Sequence, residues 1–189
     1  PPYGGSYNAM PAYLGGDFDI SGVKWVWGFE DNHKKGLPYI GGTILLNDPR
    51  TGEQIAIMDG SYITDIRTGA TAGVAAKYLA KKDTKEIAII GSGVIGKMSM
   101  IAINKVFPLE KVKLYDIKEK ASLNLAEDLN ELGLTIEIEK SIKETVRYAD
   151  VVVTATIANE ALVQKSWLKQ GALVITLGSF QELDEKIPI

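Results

Sequence analysis

The chain has 189 residues with 21 Lys and Arg against 24 Asp and Glu, a formal net charge of −3, and 46% of its residues are hydrophobic. This balance is typical of a globular protein with a substantial core, and it gives no electrostatic reason to expect nucleic acid or a membrane as a partner. The absence of cysteine excludes disulfides, thiolate catalysis and Cys-ligated zinc, and it fits a cytoplasmic protein. No apolar run reaches the roughly 18 to 20 residues that a membrane-spanning helix needs.

The first half of the chain is rich in glycine and aromatic residues and predicts mainly strands. Strands are predicted at 23–29, 42–47 and 53–58, and the last two form a hairpin through a turn at 48–52 that contains Pro and Gly. At 62–79, small residues recur among apolar ones at helical spacing. This pattern predicts a helix that packs closely against another element.

The second half alternates between apolar strands and helices. Strands are predicted at 86–90, 111–117, 135–139, 151–156 and 172–177, and helices at 94–106, 119–132 and 142–148. Such alternation is typical of βαβ units and of a parallel sheet covered on both faces. We therefore expect an α/β protein, with a doubly wound Rossmann-type domain at 83–189 and part of a smaller α/β domain at 1–82.

A glycine-rich motif of the form GxGxxG follows the first strand of the second half. It consists of Gly91, Ser92, Gly93, Val94, Ile95 and Gly96. In such a motif Gly91 permits a tight turn, Gly93 leaves room for a pyrophosphate, and Gly96 lets the following helix pack near the sheet. The N-terminus of that helix offers N–H groups to the diphosphate. Asp116 ends the next strand, twenty positions after Gly96, where a carboxylate can accept hydrogen bonds from ribose hydroxyls. The motif and its context together predict a nicotinamide dinucleotide site.

The position of Asp116 favours NAD over NADP as the cofactor. A 2′-phosphate would lie against this carboxylate, and two unit charges about 4 Å apart repel by roughly 4 kcal/mol at an effective dielectric constant of about 20. Lys118 is the counter-argument, because a basic residue there could partly offset a phosphate. Ligands of parallel sheets lie beyond the carboxyl ends of the strands. Further cofactor-binding residues are therefore expected at strand ends, namely Ile117, Thr154, Ala155, Thr156 and Gly178.

The chain resembles the ornithine cyclodeaminase/μ-crystallin family over nearly its whole length. The most specific matching motif is Tyr-Ile-Thr-x-Ile-Arg-Thr at 62–68, which generic Rossmann dehydrogenases lack at this place. Other matching segments are 10–13, 22–24, 36–38, 59–61, 69–70, 77–80 and 149–156. The resemblance implies oxidation of an α-amino acid to an imino acid with NAD(P), or the reverse. It also implies a homodimer, built through the first domain, which would bind the amino-acid or imino-acid substrate.

The resemblance assigns roles to three residues of the first half. Lys24 and Arg67 match the residues that orient the substrate carboxylate, and Thr68 matches a position near the cofactor phosphates. An alternative for Lys24 is an edge-strand lysine that extends into water. Arg67 stands among alanines and glycines on a close-packed helix, which is a costly place for a charge without a function. The alternative for Arg67 is an ion pair with Asp65 or Asp59.

One departure from the family pattern follows the fifth Rossmann strand. Cyclodeaminases carry an aspartate two residues after the conserved glycine, where this chain has Phe180. Either Glu182 or Asp184 replaces that acid, or the chain performs other chemistry.

We therefore expect an NAD-dependent amino-acid dehydrogenase, imine reductase or cyclodeaminase. The alternative is a μ-crystallin-like protein that binds the dinucleotide and a small ligand with little turnover. No cluster of His, Asp and Glu has metal-ligand spacing, and we interpret the single histidine, His33, as a loop residue. Because family members are longer than this chain, we also expect it to be a piece of a larger protein.

Overall fold

The structure, a computed structural model, describes residues 4–178 and 182–187 of the chain. The chain divides into two units, residues 1–64 and residues 65–189. The domain boundary was predicted at 82/83, later than this division, because most of the helix before residue 82 packs within the second unit. The domain boundary of the whole protein stays a prediction. Among the described residues, no helix is both long and apolar enough to cross a membrane.

The first unit is built on an antiparallel sheet of four strands in the order β1-β2-β3-β4. The strands are β1 (Ser6–Leu14), β2 (Ile20–Gly28), β3 (Ile40–Asn47) and β4 (Gln54–Asp59), with a 3-10 helix at Glu30–Lys35. Strand β1 was not predicted, and it contains Pro11. Proline is tolerated in edge strands, where every other N–H points away from the neighbouring strand, and β1 lies at the edge of its sheet.

The second unit is a parallel sheet of five strands in the order β7-β6-β5-β8-β9. The strands are β5 (Glu86–Ile90), β6 (Lys111–Tyr115), β7 (Thr135–Ile138), β8 (Val151–Thr154) and β9 (Leu173–Thr176). The helices are α1 (Ser61–Leu79), which begins in the first unit, α2 (Val94–Asn104), α3 (Glu119–Leu129) and α4 (Ile142–Val146). This order confirms the predicted Rossmann-type α/β fold. The order in which successive strands join the sheet reverses at β5: β6 and β7 lie on one side of it, and β8 and β9 on the other. Such a switch point opens a crevice for ligands.

The core of the second unit surrounds its central strands. All of β8 and four of the five residues of β5 are buried, as expected for strands covered on both faces. Strand β6 is two residues shorter than predicted, because the carboxylate of Asp116 turns back to the backbone N–H groups of Ser92 and Lys118. Helix α3 continues as a 3-10 turn to Leu132, and Gly133 follows in the left-handed conformation that commonly ends a helix.

Helix α1 packs against α2 through glycines. A Cβ atom at Gly69 would overlap Met98 and lie 2.8 Å from the backbone nitrogen of Ser99, and one at Gly73 would lie 2.9 Å from the Cβ of Ala102. The close packing predicted for this helix is therefore confirmed. Because a step of four residues along α1 matches a step of four along α2, the two helices run in the same direction.

Asp150 joins the amino ends of β5 and β8, on the opposite edge of the sheet from the glycine motif. Its Oδ2 accepts hydrogen bonds from the backbone N–H groups of Lys85 at 2.9 Å and Glu86 at 3.0 Å, and its Oδ1 accepts one from Lys169. Burial alone would raise the pKa of Asp150. The hydrogen bonds from Lys169 and from the two backbone N–H groups together lower it by more, so the pKa lies below its ordinary value.

Candidate functional site

The three motif glycines have different surroundings. Gly91 has a φ of +94°, and a Cβ atom there would lie 2.8 Å from the carbonyl carbon of Ala155. A Cβ atom at Gly96 would overlap the carbonyl oxygen of Gly91. At Gly93, in contrast, a Cβ atom would meet nothing within 4 Å. Gly91 and Gly96 are therefore needed to shape the turn, whereas Gly93 leaves its outer side open.

The open side of the turn leads to the first N–H groups of α2. Gly93 is the N-cap of this helix and has an extended backbone, and no side chain caps the helix among the described residues. The first N–H groups of a helix have no partner within it and carry a partial positive charge. The start of α2 is therefore suited to bind an anion such as a diphosphate.

Asp116 supports this turn from the end of β6. Its Oδ2 accepts the backbone N–H of Ser92 at 2.9 Å, and its Oδ1 accepts the N–H of Lys118 at 2.9 Å. A carboxylate oxygen can accept two hydrogen bonds, so each retains capacity for a ribose hydroxyl. Sequence reasoning assigned only the ribose role to Asp116 and missed its support of the turn.

A second support of the turn, also missed, comes from α3. The hydroxyl of Ser92 lies 2.9 Å from the hydroxyl of Ser122, and both side chains are buried. Ser122 shares the buried face of α3 with Leu125 and Leu129. A serine at i, i+3 and i+7 spacing with two leucines was the available signal, because a buried hydroxyl needs a hydrogen-bond partner.

The polar residues at the ends of β8 and β9 converge on Glu182. The side chain of this glutamate is 1% exposed. Its Oε1 accepts the backbone N–H of Thr156 at 2.9 Å and the hydroxyl at 2.6 Å, while its Oε2 accepts the hydroxyl of Thr154 at 2.7 Å and the N–H of Gly178 at 3.0 Å. Both carboxylate oxygens are thus engaged, so the hypothesis that Glu182 replaces the missing catalytic acid is not supported.

The other residues of that hypothesis are placed differently. Phe180 lies outside the described residues. The side chain of Asp184 is half-buried, and its Oδ1 accepts the N–H of Lys186 at 2.9 Å. Among the described residues, no group of three or more His, Asp or Glu could hold a metal ion.

Arg67 and Thr68 lie on α1 near the glycine turn. Gly69 packs on Met98 and the two helices run in the same direction, so Thr68 stands about one turn beyond the start of α2. Arg67 is exposed, and the small residues of α1 that contact α2 lie on another face. The expectation that Arg67 sits in a costly apolar environment was therefore wrong, and its side chain is accessible to a ligand.

Lys24 lies in the first unit on β2, which pairs with both β1 and β3. It is therefore an inner-strand residue, and the edge-strand alternative was wrong. Its side chain is half-buried, and its Nζ donates to the hydroxyl of Thr64 at 3.3 Å. The hydroxyl of Thr64 in turn donates to the carbonyl of Gly60 at 2.7 Å. The meeting of Lys24 and Arg67 in one substrate site stays a prediction.

Comparisons with known proteins agree with this architecture. The model of the ornithine cyclodeaminase/mu-crystallin family matches residues 2–187. Alanine dehydrogenase of Archaeoglobus fulgidus is 36% identical over 187 residues, which cover 97% of this chain and 56% of that protein.

Two solved structures are also similar. Delta(1)-pyrroline-2-carboxylate reductase of Thermococcus litoralis, in complex with NADH and L-proline, superposes with a TM-score of 0.92 at 39% identity, covering 97% of this chain and 58% of that one. An archaeal alanine dehydrogenase dimer with bound NAD gives a TM-score of 0.83 at 36% identity, covering 90% of this chain and 52% of that one. The chain thus spans little more than half the length of these relatives.

Proposed function

Because this chain belongs to the ornithine cyclodeaminase/mu-crystallin family, we propose that it is the dinucleotide-binding portion of an NAD-dependent enzyme that interconverts an α-amino acid and its imino acid. The observation that carries the proposal is the open turn at Gly93, which leads to an uncapped helix start with Asp116 beside it. The dinucleotide, when bound, supplies the hydride chemistry. The residues of the chain bind and orient the reactants.

Most of the residues proposed to hold the dinucleotide follow the carboxyl ends of the parallel strands, and Thr68 lies on α1. The N–H groups at the start of α2 bind the diphosphate, and Asp116 accepts the adenosine ribose hydroxyls. An ionised Asp116 would repel a 2′-phosphate, which favours NAD over NADP. The NADH and NAD bound to the two similar structures support this choice. The complete proposed set is Thr68, Gly91, Ser92, Gly93, Val94, Ile95, Gly96, Asp116, Ile117, Thr154, Ala155, Thr156 and Gly178.

Lys24 and Arg67 are proposed to bind the carboxylate of the substrate. The planar guanidinium of Arg67 is accessible and matches a carboxylate with two parallel hydrogen bonds. Two relatives support an amino acid or imino acid as the substrate, namely alanine dehydrogenase and a reductase whose structure contains L-proline.

A homodimer is part of the proposal. The similar archaeal alanine dehydrogenase is a dimer. The first unit also exposes large apolar side chains at the outer strands of its sheet, including Tyr13, Leu14, Ile55 and Ile57. These side chains lie on β1 and β4, the two opposite edges of the sheet, so the dimeric relative is the stronger support.

A second candidate is a binding protein that holds the dinucleotide and a small ligand with little turnover. The placement of Glu182 favours it, because this acid is buried and fully hydrogen-bonded, and Phe180 occupies the position of the usual aspartate. Both candidates require the dinucleotide, so binding alone does not separate them.

A turnover assay with the full-length protein separates the candidates. The protein is incubated with NAD and L-alanine, L-proline, L-ornithine or L-lysine, while NADH absorbance and cyclic products are followed. NADH formation supports a dehydrogenase or imine reductase, and a cyclic amino acid without net NADH supports a cyclodeaminase. NADH binding without turnover favours the binding protein, and absence of NADH binding refutes both.

The variant Arg67→Ala tests the proposed carboxylate site. We expect kcat/KM for the amino acid to fall at least about 30-fold while NADH affinity is kept, because a charged hydrogen-bonding partner of the substrate is removed. Arg50→Ala is the matched control, since Arg50 is exposed in the β3–β4 turn and paired with Asp48. An unchanged kcat/KM in Arg67→Ala would remove this arginine from the substrate site.

A further inference from the structure

Glu182 is a buried acid to which the proposed function assigns no role. It lies just beyond Gly178, and the four hydrogen bonds described above attach it to the ends of both β8 and β9. The contact with Gly178 is close enough that a Cβ atom there would lie 2.5 Å from either carboxylate oxygen. The absence of a side chain at Gly178 is therefore what lets the carboxylate reach the backbone.

We propose that Glu182 is the positioning residue for the nicotinamide half of the dinucleotide site: its carboxylate holds Thr154, Thr156 and Gly178 in one fixed arrangement. This inference rests on the proposed function, because it takes Thr156 and Gly178 as the surface that faces the nicotinamide and its ribose. Thr154, predicted as a cofactor-binding residue, is instead fully buried behind them. Glu182 acts through them and does not itself touch the reacting atoms.

The hydrogen-bond pattern requires a carboxylate at this position. Each oxygen of Glu182 accepts one backbone N–H, from Thr156 on one side and from Gly178 on the other. A backbone N–H can only donate, whereas the threonine hydroxyls can rotate. In Glu182→Gln the amide would offer one acceptor and one donor, so its NH₂ group would face a backbone N–H whichever way it turned. A buried donor facing another donor is costly, and the strand ends must move apart.

The position of these contacts predicts an effect on one half of the cofactor. The hydrogen bonds of Glu182 go to the ends of β8 and β9, on one side of the point where the strand order switches. The glycine turn and Asp116 follow β5 and β6, on the other side. Loss of the carboxylate should therefore weaken contacts to the nicotinamide and leave the diphosphate and adenosine contacts in place.

The test compares NADH with ADP, which lacks both the nicotinamide and its ribose, by calorimetric titration of the full-length protein. In Glu182→Gln we expect the Kd for NADH to rise about tenfold and the Kd for ADP to stay within about twofold of wild type. The matched control is Glu185→Gln, which makes the same chemical change at an exposed glutamate of the same segment and should alter neither value. A role limited to general stability would weaken both ligands alike.

Thr154→Val provides a second variant that keeps the shape of the side chain and removes one donor to Oε2. We expect a smaller loss of about threefold, again for NADH only. If Glu182→Gln does not fold, Thr154→Val decides. Equal weakening of both ligands, or no weakening, overturns the role of Glu182. A wild-type protein that binds neither ligand refutes the proposed function itself.

Discussion

The three motif glycines should respond very differently to the same substitution by alanine. Gly93 has φ −79° and ψ −168°, an extended conformation that alanine adopts readily, and its Cβ would point into open space. Gly91→Ala and Gly96→Ala instead force a Cβ atom against backbone atoms. In Gly91→Ala the alanine must also adopt the positive φ of Gly91. Gly93→Ala should therefore fold as wild type, whereas the other two variants should be destabilised.

The expected magnitudes follow from these surroundings. Gly93→Ala should change the free energy of unfolding by less than about 1 kcal/mol, in the stabilising direction if at all, because alanine restricts the unfolded chain. Gly91→Ala and Gly96→Ala should each lose about 2 to 3 kcal/mol from strain and overpacking. If a diphosphate passes over Gly93, a methyl group there should cost about 1.4 to 2.8 kcal/mol of binding, which raises the Kd for NADH about 10- to 100-fold.

Urea unfolding and NADH titration of the three variants give both quantities. Gly133→Ala is a useful reference for the cost of a positive φ without a clash, because Gly133 has φ +68° and nothing within 4 Å of its Cβ position. Wild-type NADH affinity in Gly93→Ala would show that the diphosphate does not lie over this residue. A loss of stability in Gly93→Ala equal to that in Gly96→Ala would refute the assignment of an open side to the turn.

Two further predictions concern stability. Asp150→Asn should lose about 1 to 2 kcal/mol at pH 7, because the charged bond from Lys169 is weakened. Because the pKa of Asp150 is lower in the folded than in the unfolded protein, where it is about 3.9, the ionised carboxylate stabilises the fold at neutral pH and this stabilisation is lost as the pH falls through the folded pKa. The difference in unfolding free energy between wild type and Asp150→Asn, measured in urea, should therefore close below about pH 4. A difference that stays constant with pH would contradict this account. Gly69→Ala should lose about 2 to 3 kcal/mol, since its Cβ would overlap Met98 in α2. Thermal unfolding checks this value, and wild-type stability would contradict the close packing.

Local patterns in the sequence were sufficient to predict the Rossmann unit. Apolar runs of strand length, helices between them and the glycine motif all depend on neighbouring residues, and the structure places each of them as predicted. Strand β1 was not predicted, and the edge position at which Pro11 is tolerated became visible only with the strand order. The inner position of Lys24 was also missed, because the strand order depends on pairings between segments that are distant in the sequence.

A residue of the candidate site was predictable from the sequence where the local backbone conformation accepts only one residue type. The positive φ of Gly91 is such a case. The role of Glu182 was not predictable, because its partner Thr154 lies 28 positions away and only the folded chain brings the two together. Arg67 was judged by its neighbours in sequence, yet its exposure depends on which face of α1 meets α2.

The double use of Asp116 limits how the cofactor preference of this protein could be redesigned. Its carboxylate would recognise the sugar and also holds the N–H of Ser92 in the turn. A change to alanine or serine that removes repulsion toward a 2′-phosphate would also release the turn that we propose binds the diphosphate. A switch to NADP therefore calls for two coordinated changes, one that admits the phosphate and one that gives the N–H of Ser92 a new acceptor.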